Sequence, residues 1–213
     1  MFRVIWAGML TAVVAVTSAM ASEDAGWIPL FDGQSLDGWT ASENTNSCTV
    51  EDGKIVLSGP RSHLFYTGDV GGADFADFEF KAEVLTHPQA NSGIYFHTTY
   101  QDSGWPKTGY EAQVNCSHSD IRRTGGLYGV VDVIHDSPVE DGEWFTYHIT
   151  VSDKRIVIRI NDEITTDYTE PDDLDRPDRQ LSSGTFALQA HDPKSRTEYR
   201  NIRVKLPPAA DQE

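Results

Sequence analysis

Basic residues are scarce in this chain. Seventeen Lys and Arg stand against 33 Asp and Glu, a formal net charge of −16 over 213 residues. Phosphate backbones and anionic membranes are held by concentrated Lys and Arg, so nucleic acid is not an expected partner. Cysteine is nearly absent, with Cys48 and Cys116 the only two. Whether that pair bridges is not readable without Cα positions. Cys116 stands two residues before His118, but it reads as a small buried residue on the apolar row of a strand, not as a nucleophile. After residue 17 no apolar run approaches the 18 residues of a membrane span. No segment sustains an apolar period of 3.6, which excludes long helices. A G-x-S-x-G elbow, an H-E-x-x-H pair and a Gly-rich phosphate loop are all missing. Gly71-Gly72 and Gly125-Gly126 read as turn or bulge glycines.

One apolar run does occur, at the start. Met1-Phe2-Arg3 is a short basic opening, residues 4–17 are almost wholly apolar, and Ala19-Met20-Ala21 has a small-x-small cleavage pattern. Residues 1–21 therefore read as a signal peptide cleaved after Ala21. The expected product is exported, periplasmic or extracellular, and not inserted in a membrane once cleaved. Residues 22–206 suit one domain, with 207–213 as a flexible tail.

What the sequence has in quantity is alternation. Phe78, Phe80, Ala82 and Val84 alternate with Asp77, Glu79, Lys81 and Glu83, and Ile156, Ile158 and Ile160 alternate with Arg155 and Arg159. Such outer rows of full charges face bulk water. Three other segments alternate differently. Their apolar row holds Ile94, Phe96, Ala112, Val114, Phe186, Leu188 and Ala190. Their polar row holds Tyr95, His97, Glu111, Gln113, Gln189 and His191. Side chains two apart share a strand face, so this second row predicts a surface that reads a polyhydroxylated ligand and moves protons. Asp52-Gly53 and Asn161-Asp162 mark hairpins. Many short strands without helices predict an all-β sandwich of two antiparallel sheets, one carrying a site. Two loops are long, 98–108 and 168–184, and long loops are often functional.

Several motifs occur in a fixed order. They are Leu30-Phe31-Asp32-Gly33-Gln34-Ser35-Leu36-Asp37-Gly38-Trp39, Asn91-Ser92-Gly93-Ile94-Tyr95-Phe96, Gly109-Tyr110-Glu111-Ala112-Gln113 and Thr124-Gly125-Gly126-Leu127-Tyr128-Gly129. Gly142-Glu143-Trp144 follows, then Leu188-Gln189-Ala190-His191 with Tyr199-Arg200-Asn201-Ile202-Arg203. Together they resemble the 3-keto-disaccharide hydrolase family over residues 27–205. The resemblance implies a concanavalin-like, two-sheet antiparallel jelly-roll sandwich. It also implies cleavage of glycosides oxidised at the sugar C3 hydroxyl. The position after Ser-Gly-Ile-x-Phe is commonly Arg in that family; here it is His97, which can be neutral and can transfer protons.

Glu111 is the expected general base or acid, since partial burial would raise its pKa toward neutrality. His191 and His97 are the other expected proton-transfer groups. Gln113 and Gln189 are expected to bind sugar hydroxyls, because an amide both donates and accepts. Tyr95, Tyr128 and Trp105 are expected to stack on a sugar ring or, for the tyrosines, to donate a hydroxyl. The expected partner is a small carbohydrate. No cofactor or metal is expected. His97, Glu111 and His191 would suit zinc by type but lack a local ligand spacing. Asp172, Asp173, Asp175 and Asp178 lack an ordered calcium-loop pattern. A non-catalytic carbohydrate-binding module is the alternative reading.

Overall fold

A computed structural model describes residues 25–208. The expected signal peptide, its cleavage point and residues 209–213 of the expected tail lie outside the described residues.

Fifteen strands run through them. β1 (Trp27–Pro29), β2 (Trp39–Ala41), β3 (Cys48–Glu51), β4 (Lys54–Ser58) and β5 (Ser62–Tyr66) come first. β6 (Phe78–Thr86), β7 (Ser92–Thr98), β8 (Tyr110–Val114), β9 (Arg122–Leu127) and β10 (Val131–Ile134) follow. β11 (Phe145–Ser152), β12 (Arg155–Ile160), β13 (Glu163–Thr169), β14 (Thr185–Ala190) and β15 (Arg196–Lys205) complete the set. Among the described residues the only helical pieces are the 3₁₀ turns Thr45–Ser47 and Val70–Ala73.

All pairings between these strands are antiparallel and make two sheets. The first runs β13-β12-β11-β6-β15-β4-β3, with β1 beside β15; the second runs β10-β9-β8-β7-β14-β5-β2. The expected two-sheet sandwich is what forms. The two hairpin signals act as expected. Asp52 and Gly53 join Glu51 to Lys54, and Asn161 and Asp162 join Ile160 to Glu163, all four with positive φ. Turns of that hand match the twist of the strands they connect.

The core is the apolar row of each sheet facing the other. Phe186 on β14 lies 4.7 Å from Phe75, 4.8 Å from Phe78 and 4.8 Å from Phe80, ring centre to ring centre. Such ring contacts add to the burial of area alone. Two buried tyrosines tie the layers and fix the strands behind the site. Tyr147 donates its hydroxyl to the Gln113 carbonyl at 3.0 Å, and the Tyr199 hydroxyl meets Ser92 Oγ at 2.8 Å.

The sheets differ on their outer faces. On β6 burial alternates, Phe78, Phe80, Ala82 and Val84 inside and Glu79, Lys81 and Glu83 half-buried. On β5, β7, β8 and β14 every residue is buried on both faces. Loops cover the outer face of the second sheet, which makes it a place where polar groups meet outside bulk water.

Cys48 and Cys116 are both free, and burial pushes the Cys48 thiol up to about 11. A reductant is therefore expected to leave the melting temperature unchanged. A drop of several degrees on adding dithiothreitol would show a bridge holding the fold.

Candidate functional site

The outer face of the second sheet holds a cavity of about 220 Å³. Five of the expected residues on the polar row line it: Tyr95, Glu111, Gln113, Gln189 and His191. Tyr128 and Trp105, also expected, line it too. β8 supplies Glu111 and Gln113, β7 supplies Tyr95, and β14 brings Gln189 with His191 just past its end. Alternation along each strand keeps these side chains on one face while Ile94, Ala112 and Leu188 enter the core.

Glu111 is the centre of the arrangement. Its Oε1 accepts the Gln189 Nε2–H at 3.0 Å, and the Tyr95 hydroxyl also engages the carboxyl. Only 6% of the residue is exposed. Burial raises its pKa to about 7 against the pull of Tyr95, Arg179 and Gln189. A carboxyl poised there can hold or take a proton at neutral pH. Tyr95 in turn is pushed well above its ordinary value by burial and by Glu111, so it is a neutral donor. Gly93 makes the room: a Cβ built there would stand 2.4 Å from Glu111 Oε1.

The two glutamines are oriented by their neighbours. Gln189 spends its amide hydrogens on Tyr95 Oη (2.9 Å) and Glu111, and Gln113 Nε2 donates to Asn91 Oδ1 at 2.9 Å. Their two carbonyl oxygens are buried without a partner. A buried acceptor without a partner calls for an explanation, and both of these belong to side chains that line the cavity.

His191 has an orienting carboxylate. Its Nδ1 meets Asp192 Oδ2 at 2.9 Å, and Ser195 Oγ donates to the same oxygen at 2.7 Å. Burial alone would raise the Asp192 carboxyl, but hydrogen bonds from His191, Ser195 and the Lys194 N–H hold it at about 2. An ionised Asp192 keeps the His191 proton on Nδ1 and leaves Nε2 for a proton relay. The Trp105 ring packs 5.3 Å from the imidazole.

His97 is corrected. β7 and β14 pair Tyr95 with Ala187 and Thr98 with Thr185, so Phe96 and His97 together oppose Phe186. This is a β-bulge, which re-aims a side chain. His97 takes a φ of +55 and does not line the cavity. It is 2% exposed and packs edge-on against Phe78 and Phe96. Its Nδ1 accepts the Ser182 N–H at 3.1 Å, which leaves Nε2–H to donate to the Ala76 carbonyl at 2.8 Å. Both nitrogens are used, and burial depresses the pKa. His97 is a neutral structural residue tying β7 to two loops.

The bulge also removes the zinc set weighed from the sequence, because His97 is not beside Glu111 and His191. A different trio, His118, His191 and Asp192, brings three ligand atoms within 4.8 Å of one another. There His118 Nδ1 accepts the Asp120 N–H at 3.1 Å. That puts its proton on Nε2, the nitrogen turned toward Asp192 at 3.9 Å. A nitrogen that carries its proton offers no lone pair to a metal, and within the trio only His191 and Asp192 are hydrogen-bonded to each other. In the acidic loop, Asp172 pairs with Lys154.

Asn91, Asp120, Pro106 and Arg179 line the cavity as well and were not expected. Arg179 donates Nη1–H to the Tyr128 carbonyl at 3.0 Å. Asn91 had a signal, since it directly precedes Ser92-Gly93 in a quoted motif. Asp192 had one too, as the residue after His191. Asp120 and Arg179 sit in loops, where no period says which way a side chain points.

A family model described as a 3-keto-alpha-glucoside-1,2-lyase-like domain matches residues 26–205. A 3-keto-disaccharide hydrolase from Bacteroides thetaiotaomicron is 26% identical over 170 residues, covering 67% of this chain and 58% of that protein. The chain thus spans a little over half the length of that relative. Among solved structures, a Parabacteroides distasonis protein assigned as a glycosyl hydrolase is similar, with a TM-score of 0.72 at 21% identity. The match covers 91% of this chain and 98% of that one. A carbohydrate-binding module from Bacillus subtilis matches with a TM-score of 0.53 at 16% identity, covering 79% and 95%. At these identities the solved structures speak for the sandwich fold alone. The family match, which spans both sheets and every cavity residue named above, is what decides membership: the chain belongs to the 3-keto-alpha-glucoside-1,2-lyase-like family.

Proposed function

We propose that this protein cleaves glycosides whose sugar carries a ketone at C3, by elimination and rehydration, and that it does so as an exported protein. The observation that carries the reading is the buried Glu111 carboxyl, raised to about 7, in a cavity whose unpartnered acceptors suit sugar hydroxyls. A C3 ketone acidifies the C2 proton. Glu111 takes that proton, and the C–H electron pair becomes the enolate of C2, C3 and the ketone oxygen. Arg179, a cation in the wall, stabilises the enolate charge. The enolate then re-forms the ketone and expels the C1 oxygen, leaving a C1=C2 double bond, while His191, as the imidazolium that Asp192 stabilises through Nδ1, gives its Nε2 proton to the leaving oxygen. Water adds its oxygen to C1 and a proton returns to C2, so the sum is hydrolysis. Gln113, Gln189 and Tyr95 hold the ring; Tyr128 and Trp105 flank it.

The fold's likeness to a carbohydrate-binding module supports a second reading, binding without cleavage. One experiment separates the two. Purified protein incubated with 3-keto-trehalose is expected to release free glucose, and to leave unoxidised trehalose intact because no ketone acidifies its C2 proton. Saccharide binding without any release from the keto compound would sink the enzyme reading.

A further inference from the structure

The outer face of the second sheet is longer than the cavity. Across β8, β14 and β5 its polar side chains continue from Gln113 through Gln189 to His63, which is paired in register with Gln189. Leu64 and Tyr66 of β5 enter the core, so His63 and Phe65 face outward with the site row. The cavity does not extend over them because the loop after β7 lies on top. That loop sets Trp105 edge-on against His63 (5.5 Å, 75°) and Tyr100 edge-on against Phe65 (5.4 Å, 74°). Both covering rings are partly exposed, at 43% and 44%. Glu43 pins the loop through the Gly104 N–H at 2.9 Å and pairs with Arg61, whose guanidinium lies over the Trp105 ring.

Under this cover His63 is wholly buried, and neither of its ring nitrogens has a hydrogen-bond partner. Burial drives its pKa down to about 4. Leaving two polar atoms unpaired is unfavourable. A phenyl ring would meet Tyr95, Phe65 and Trp105 equally well without that penalty. A buried polar group without a partner calls for an explanation, and a functional role is one. The cavity lies beside this covered stretch, and Trp105, which lines the cavity and packs on His63, is the wall between them.

Resting on the function proposed above, we infer that the groove over His63 is the subsite for the leaving group: Trp105 moves aside, and His63 hydrogen-bonds a hydroxyl of a second sugar ring. The site thereby selects glycosides whose leaving group is itself a sugar over those of small alcohols. His63 is a specificity residue, with no part in proton transfer.

The test is His63→Phe, which keeps a ring under Trp105 and removes both nitrogens. The ratio of kcat/KM for 3-keto-trehalose over methyl 3-keto-α-glucoside is expected to fall about tenfold, the scale of one lost hydrogen bond. The melting temperature is expected to rise. An unchanged ratio overturns the subsite, and a lower melting temperature overturns the claim that His63 is unpartnered at rest. A binding measurement frees the test from turnover. In the Glu111→Gln protein carrying ¹⁵N-histidine, trehalose is expected to shift the His63 ring signals and methyl α-glucoside to leave them in place. If wild type cleaves neither keto compound, the proposed function fails. The His63 signals still decide the subsite: a shift with trehalose alone supports it, and no shift, or the same shift with both, overturns it.

Discussion

Glu111→Gln is expected to abolish turnover of a 3-keto-glycoside and, at pH 8, to make the protein more stable. The two effects share one cause. As the base that removes the C2 proton, the carboxylate is expected to contribute about 10²–10⁴-fold in rate, and glutamine cannot accept the proton. As a buried group, it is a burden when charged. Its pKa stands at about 7 in the folded chain against an ordinary 4.5. Below pH 4.5 both folded and unfolded chains hold the proton, and the shift has no effect. Between pH 4.5 and 7 the unfolded chain releases it first, so stability falls as pH rises. Above pH 7 the loss is complete, roughly 3 kcal/mol for a shift of this size. Glutamine keeps the shape and never charges. Its melting temperature should match wild type near pH 4 and exceed it at pH 8 by roughly 5–10 °C for a chain of this length. Wild-type kcat/KM should rise with pH toward about 7, as the carboxyl becomes the base. A stability gain that is equal at pH 4 and pH 8 would show that burial is not what raises this group.

Gly93→Ala is the second large effect. The backbone tolerates alanine at this position, because Gly93 is not among the glycines with positive φ. The side-chain space does not. The new Cβ would lie 2.4 Å from Glu111 Oε1, 2.9 Å from Cγ and 3.0 Å from Cδ. The carboxyl must swing away, losing Gln189 and Tyr95 and gaining water. We expect kcat/KM to fall about 100-fold, since misplacing a catalytic group by about 1 Å has that order of effect. The pH midpoint of activity should move below 7 as the carboxyl is rehydrated. The decisive comparison is the double variant. If Gly93 acts through Glu111, then Gly93→Ala with Glu111→Gln is no slower than Glu111→Gln alone. A further large loss in the double variant would mean that Gly93 does something else.

Both predictions concern residues that a strand pattern can place. Tyr95, Glu111, Gln113, Gln189 and His191 were legible because a side chain's face on a strand depends only on its parity, as long as the strand is regular. The two hairpins were legible because Asp-Gly and Asn-Asp fix a local backbone geometry. His97 was read wrongly because parity fails at a bulge. The bulge is created by how β7 pairs with β14, nearly a hundred residues later in the chain. The close approach of Gly109 belongs to it, where a Cβ would sit 2.1 Å from the Phe96 carbonyl oxygen. Asp120 and Arg179 come from loops, and loops have no period. His63 was hidden for another reason. Its segment is so short and so fully buried that nothing in the order of its residues separates a site face from a core face.

The order of residues by itself determined the two-layer all-β fold, the family and the polar row that became the cavity. The fold and the row rest on local rules, alternation and turn geometry, that act over two to four residues, and the family rests on motifs standing in a fixed order along the chain. Only the tertiary structure decided that His97 leaves the row, that His63 continues it under Trp105, and that the Glu111 carboxyl is dry enough to hold its proton near pH 7. Those outcomes depend on which distant segments lie against each other and how much water they shut out, and neither is a property of any one segment.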